Sequence, residues 1–120
     1  MKKQLMVVDD SRVMELQICK LLENSEYEVA AYCENGEEAI ERYEEIRPDV
    51  VTMDIIMPGI DGLEAAQIIL EKHPDARIIM VSSLVYDDTI NEAKAIGAKG
   101  FLYKPIDEER LLSALEQAMS

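Results

Sequence analysis

The chain has 120 residues, 48% of them apolar, with 25 acidic and 12 basic side chains and a net charge of −13. That length suits a single domain over 1–120 with one sizeable core. The excess of acid argues against nucleic acid or an anionic membrane as a direct partner, and no apolar run approaches the ~18 residues of a membrane span.

The elements follow in order. Gln4 to Val8 is a short apolar run that predicts a strand. Arg12 to Glu23 suits a helix, with apolar Val13 and Leu16 beside a stripe of Met14, Ile18, Leu21 and Leu22. Tyr27 to Tyr32 is a second strand. Asn35 is the expected N-cap of the next helix, with Glu38 three residues on, Ala39, Ile40, Tyr43 and Ile46 on one face, and Pro48 as its stop. Val50 to Asp54 is the third strand. Asp61 leads a helix to about Lys72, stopped by Pro74. Arg77 to Ser82 is the fourth strand, followed by a weaker helix from Asp88 to Ile96 with Gly97 as its stop. Gly100 to Tyr103 is the fifth strand, and Asp107 caps a last helix striped by Leu111, Leu112, Leu115, Ala118 and Met119. Five βα units in succession predict an α/β fold: a mostly parallel, doubly wound sheet with helices on both faces.

In such a sheet every strand ends at one edge, and ligands bind there. The first strand runs into Asp9-Asp10, the third ends in Asp54, the fourth in Ser82-Ser83, and the fifth in Lys104-Pro105. Three clustered carboxylates repel and raise one another's pKa. An all-oxygen donor set of this kind suits a hard cation, Mg²⁺ before Zn²⁺. Lys104 adds one more positive charge. A site so built suits an incoming phosphoryl group, and one carboxylate could itself be the nucleophile.

VVDDS at 7–11, DIIMPGIDG at 54–62, MVSS at 80–83 and YKP at 103–105 together resemble the response-regulator receiver domain, the CheY-like phosphoacceptor of two-component signalling. The match runs in order along the whole chain. The resemblance implies a flavodoxin-like sheet of order 2-1-3-4-5. It implies phosphorylation of Asp54 by a sensor histidine kinase or histidine phosphotransfer protein. Asp10, the Asp54 carboxylate and the backbone carbonyl of Ile56 would hold Mg²⁺ directly, and Asp9 through a water. Lys104 would pair with the acids at rest and with a phosphoryl oxygen when loaded, and Ser82 with another phosphoryl oxygen. The Lys104-Pro105 bond would be cis. Pro58 and Gly62 would shape the loop after Asp54. Ser82 and Phe101 would be the switch pair, with output by protein–protein contact through the fourth helix, fifth strand and fifth helix. Ser82 stands where Thr is more frequent, and Phe101 where Tyr is common. Ile56 and Leu84 occupy positions that tune the lifetime of the phosphoryl group, which is expected to be long if they shield it from water.

Other readings fare worse. QLMVVDD is like the second motif of P-loop NTPases, but no GxxxxGK[ST] is present. Haloacid-dehalogenase phosphatases need a second acid where Ile56 stands. One histidine, His73 before Pro74, reads as structural and leaves no Ser-His-Asp triad. Asp9-Asp10 as a mere helix cap ignores the company it keeps. The seven Met read as core filler, and the nine Glu between Glu23 and Glu45 as a solvated face. Cys19 and Cys33, with no signal peptide, predict reduced thiols in a cytoplasmic protein, Cys19 in the core. No output domain follows the fifth helix, which leaves open a stand-alone regulator, a phosphorelay carrier or a receiver excised from a longer protein; the resemblance implies a switch that acts on itself, not an enzyme with a free substrate. The alternative is a pseudo-receiver, an interaction module that is not phosphorylated.

Overall fold

A computed structural model describes residues 2–84 and 86–120. The order is β1 (Lys3–Val8), α1 (Arg12–Leu21), β2 (Tyr27–Cys33), α2 (Gly36–Ile46), β3 (Val50–Asp54), α3 (Gly62–Lys72), β4 (Ile78–Ser82), α4 (Asp87–Ile96), β5 (Gly100–Tyr103) and α5 (Glu108–Met119). Three expected caps are made: Asn35, Asp61 and Asp107 each accept the backbone N–H three residues on, at 2.8 Å. Such caps contribute about 1 kcal/mol apiece. Gly97 ends α4 in the left-handed conformation, φ 99°. Arg47, which precedes Pro48 and so is disfavoured in the right-handed helical region, closes α2 with φ 50°.

The strands lie in the order β2-β1-β3-β4-β5, every neighbouring pair parallel. The expected order therefore holds. From β1 the chain goes outward to β2, then returns to the other side of β1 for β3. That reversal puts the switch point at the C-terminal ends of β1 and β3, which is where Asp9, Asp10 and Asp54 stand.

Strand alternation divides the core in two. Met6, Val8, Val51, Met53, Ile78 and Met80 pack beneath α2, α3 and α4 on Ala39, Tyr43, Ala66 and Ile69. Leu5, Val7, Val50, Ile79, Val81 and Leu102 pack beneath α1 and α5 on Ile18, Leu22, Leu111 and Leu115. Both faces of β1, β3 and β4 are covered, which is why these strands read as near-continuous apolar runs. Met6, Met53, Met57 and Met80 are buried, as core filler should be.

The first helix differs from its expectation. It ends at Leu21, and only one of its apolar stripes packs. Met14, Ile18, Leu21 and Leu22 face the sheet, while Val13 and Leu16 are 72% and 56% exposed. At 100° per residue Val13 and Leu16 lie on the far side from Ile18. Cys19 is a correction too. It is only partly covered, and its thiol donates to Glu15 Oε2 at 3.2 Å. The Glu-rich stretch is a solvated face as expected: eight of its nine Glu are exposed, and Glu38 is partly covered.

Candidate functional site

The carboxylates arrive from different strands because each follows an apolar run that ends at the same sheet edge. Asp9 and Asp54 are buried, whereas Asp10 is exposed. One oxygen from each of the three lies within 4.8 Å of the others, so the cluster could hold a metal ion. Lys104 reaches in from the end of β5. Its Nζ lies 3.0 Å from Asp9 Oδ2 and 3.3 Å from Asp54 Oδ2. One ammonium thus serves two buried carboxylates.

Asp9 is held at both ends. Its Oδ1 accepts the Ser11 N–H at 2.8 Å, and its own N–H donates to the Cys33 carbonyl at 3.0 Å. The helix-cap reading of Asp9-Asp10 survives only to this extent: Ser11 is the N-cap of α1, and Asp9 fixes the turn before it. Among the described residues Asp10 makes no ion pair.

Burial, then the charge of Asp9, pushes the Asp54 carboxyl up to about 6, with Lys104 opposing. Burial disfavours the Lys104 ammonium, but its bonds to Asp9 and Asp54 outweigh that and hold its pKa above the ordinary lysine value. Three acids against one base leave negative charge uncompensated where water is partly excluded, and that is a site waiting for a cation.

Ser82 is buried, and its Oγ accepts the Leu84 N–H at 3.0 Å. Its carbonyl accepts the Lys104 N–H at 2.9 Å, so the hydroxyl and the ammonium share one backbone tie. The Lys104-Pro105 bond is cis. The Ile55–Asp61 loop is closed at its base by Gly62 N–H to the Ile55 carbonyl, 2.7 Å. A side chain on Gly62 would collide with the carbonyl oxygen of Asp54. Ile56, two residues after Asp54, and Leu84, whose N–H donates to Ser82 Oγ, have 56% and 44% of their surface exposed.

Phe101 is half-buried, its ring centroid 5.3 Å from that of Tyr103. It lines a cavity of about 120 Å³ with Ile90, Ala93 and Lys94 of α4. It also lines a second, of about 240 Å³, with Arg110 and Ala114 of α5. His73 lies away from the acids, its Nε2–H donating to Glu44 Oε1 at 2.8 Å beside the Tyr43 ring. Two features escaped the sequence reading. Thr52 is buried on β3 with no partner for its hydroxyl among the described residues, and Glu37 of α2 lies against the loop that follows Asp54. A Thr in a strand and a Glu in a run of Glu carry no signal of either placement.

The response regulator receiver domain model matches residues 5–116. The chain belongs to the response-regulator receiver family. The chemotaxis protein CheY of Listeria monocytogenes is 44% identical over 115 residues, 96% of this chain and 97% of that protein. Bacillus subtilis CheY is 38% identical over the whole of both chains. Among solved structures, the CheX–CheY–BeF3–Mg²⁺ complex of Borrelia burgdorferi contains a chain 29% identical, with a TM-score of 0.94. The match covers 98% of this chain and 90% of that one. The receiver domain of Thermotoga maritima CheB is 35% identical with a TM-score of 0.90, covering 99% and 97%. This receiver is thus of the CheY type, a phosphoacceptor signalling switch of two-component systems rather than an enzyme with a free substrate. The pseudo-receiver alternative is not favoured. No helix among the described residues is long and apolar enough to cross a membrane.

Proposed function

We propose that Asp54 accepts the phosphoryl group, with Asp10, Asp54 and the Ile56 carbonyl as direct ligands of Mg²⁺. The observation that carries this is the sharing of one ammonium, Lys104, between Asp9 and Asp54 at 3.0 and 3.3 Å with Asp10 alongside. The donor set is all oxygen and anionic, which fits Mg²⁺. Asp9 accepts from Ser11 N–H at Oδ1 and pairs with Lys104 at Oδ2, and the resemblance gives it a contact with the ion through water. When bound, Mg²⁺ neutralises charge that builds on the transferring phosphoryl oxygens.

In the transfer, one Asp54 oxygen attacks the phosphorus of a phosphohistidine. The O–P bond forms, the P–N bond breaks, and the imidazole departs and takes a proton from solvent. Lys104 then exchanges part of its pairing with Asp54 for a phosphoryl oxygen. Ser82 gives up its role as acceptor from Leu84 N–H and donates its hydroxyl proton to another. Loss of the group is attack by water on phosphorus, returning phosphate and the free carboxylate. The protein catalyses both steps on itself only.

The phosphoryl donor is a sensor histidine kinase or histidine phosphotransfer protein. The output is read at the α4–β5–α5 face, where Phe101 stands between two cavities into which its ring can turn. With no hydroxyl, Phe101 reports by packing alone. Free Cys19 and Cys33 support a reducing, cytoplasmic setting.

The test is intact-protein mass after incubation with a small phosphoryl donor, with and without Mg²⁺, beside Asp54→Asn. One added phosphoryl group on the wild type alone, and only with metal, is expected. No adduct on folded wild type under any condition would overturn the assignment.

A further inference from the structure

The loop from Ile55 to Asp61 is fastened at its base by its own backbone, but its tip rests on a different element. The first turn of α2 lies against it through two reciprocal contacts. Gly36 of the helix receives Ile60 of the loop: a Cβ at Gly36 would sit 2.7 Å from Ile60 Cγ1. Gly59 of the loop receives Glu37 of the helix: a Cβ there would sit 2.7 and 2.8 Å from the two carboxylate oxygens. Gly59 also has φ 79°, a conformation in which side chains are rare. Each partner therefore offers a bare backbone where the other presents a side chain.

Glu37 is itself well placed to hold. It sits two residues after the Asn35 cap, whose side chain fixes the first turn through Glu38 N–H. Its carboxylate oxygens fill the space that a side chain on Gly59 would take, which sets a closest approach for the loop. Ile56 is three residues before Gly59, on the same short loop. A shift at the tip moves that carbonyl.

We propose that Glu37 is a positioning residue for the metal site. Its carboxylate, laid on Gly59, holds the Ile55–Asp61 loop in the shape that presents the Ile56 carbonyl to the ion. This rests on the assignment of that carbonyl as a ligand. Reach matters here and charge does not, because the contact is one of closest approach rather than an ion pair.

The experiment is a Mg²⁺ titration of ¹⁵N-labelled protein, read from amide shifts, on the wild type, Glu37→Gln and Glu37→Asp. The phosphorylation rate at saturating Mg²⁺ is measured alongside. Gln keeps the reach and loses the charge, so its dissociation constant stays within about threefold of wild type. Asp keeps the charge and falls one methylene short, so its constant rises about tenfold, as for loss of an outer support of a metal ligand. Both variants keep the saturated rate within roughly twofold, since chemistry follows once the ion is bound. Equal constants for all three proteins, a larger loss in Glu37→Gln than in Glu37→Asp, or a lower saturated rate with unchanged affinity would each overturn the role of Glu37. Failure of wild type to bind Mg²⁺ would overturn the site assignment beneath it.

Discussion

The two edges of the sheet treat charge in opposite ways. At the edge where the strands begin, polar side chains are paired one to one and lie half-buried or exposed. Lys3 meets Glu26 at 3.1 Å, Asp49 accepts the Gln4 N–H at 2.7 Å, and His73 meets Glu44 at 2.8 Å. At the edge where the strands end, three acids meet one ammonium, and two of the acids are buried. The first edge gains little from its pairs and loses little without them. The second stores repulsion that a cation relieves. A fold of marginal stability tolerates such a cluster only because the paired core on both sheet faces supports it.

The contrast would break most visibly at Lys104. Lys104→Met leaves Asp9 and Asp54 without a cation, and the expected loss is about 3 kcal/mol at neutral pH without metal. One-fifth exposure of the lysine side chain keeps the loss from being larger. Added Mg²⁺ should restore part of it, and thermal unfolding with and without the ion measures this. Recovery absent at any Mg²⁺ concentration would mean the acids do not share an ion.

Asp54→Asn should act in the reverse sense. The folded-state pKa of Asp54, about 6, lies above its ordinary 3.8. Folding therefore binds the proton more tightly, and the contribution of Asp54 to stability is full below about pH 4 and is lost as pH rises through about 6. Removing that ionisation should make the variant more stable than wild type by about 2 kcal/mol above pH 6, with no difference near pH 4. Paired melts across that range test both the size and the sign.

Between the edges, Thr52 is buried, and its hydroxyl has no partner among the described residues. Thr52→Val should stabilise by about 1 kcal/mol in urea titration, without altering Mg²⁺ affinity. The smallest effect belongs to the matched edge. His73→Gln should lower the melting temperature by no more than about 4 °C, equally with and without Mg²⁺. A metal-dependent loss there would show that the two edges are coupled.

The sequence disclosed much of this because its local signals agreed. β3 and β5 begin and end where expected, and Asn35, Asp61 and Asp107 cap the helices they precede. Each polar site residue stood out because it interrupted or ended an apolar run. The misreadings came where local pattern underdetermines contact. Val13 and Leu16 are apolar on a helix that packs by its other face, and Cys19 is only partly covered. Glu37 was one Glu among nine, with nothing in its neighbours to distinguish it.

Apolar periodicity, turn residues and the acids at strand ends determined five βα units and the chemistry gathered at one rim. Those signals are local, spaced by the periods of strand and helix. Only the tertiary structure decided the distances at which one ammonium serves two carboxylates, that Asp9 has a contact at each oxygen while Asp10 makes no ion pair among the described residues, and that the first turn of α2 lies against the loop after Asp54. Each of these depends on distances of a few ångströms between residues far apart in the chain, and such distances are set by how the helices pack on the sheet.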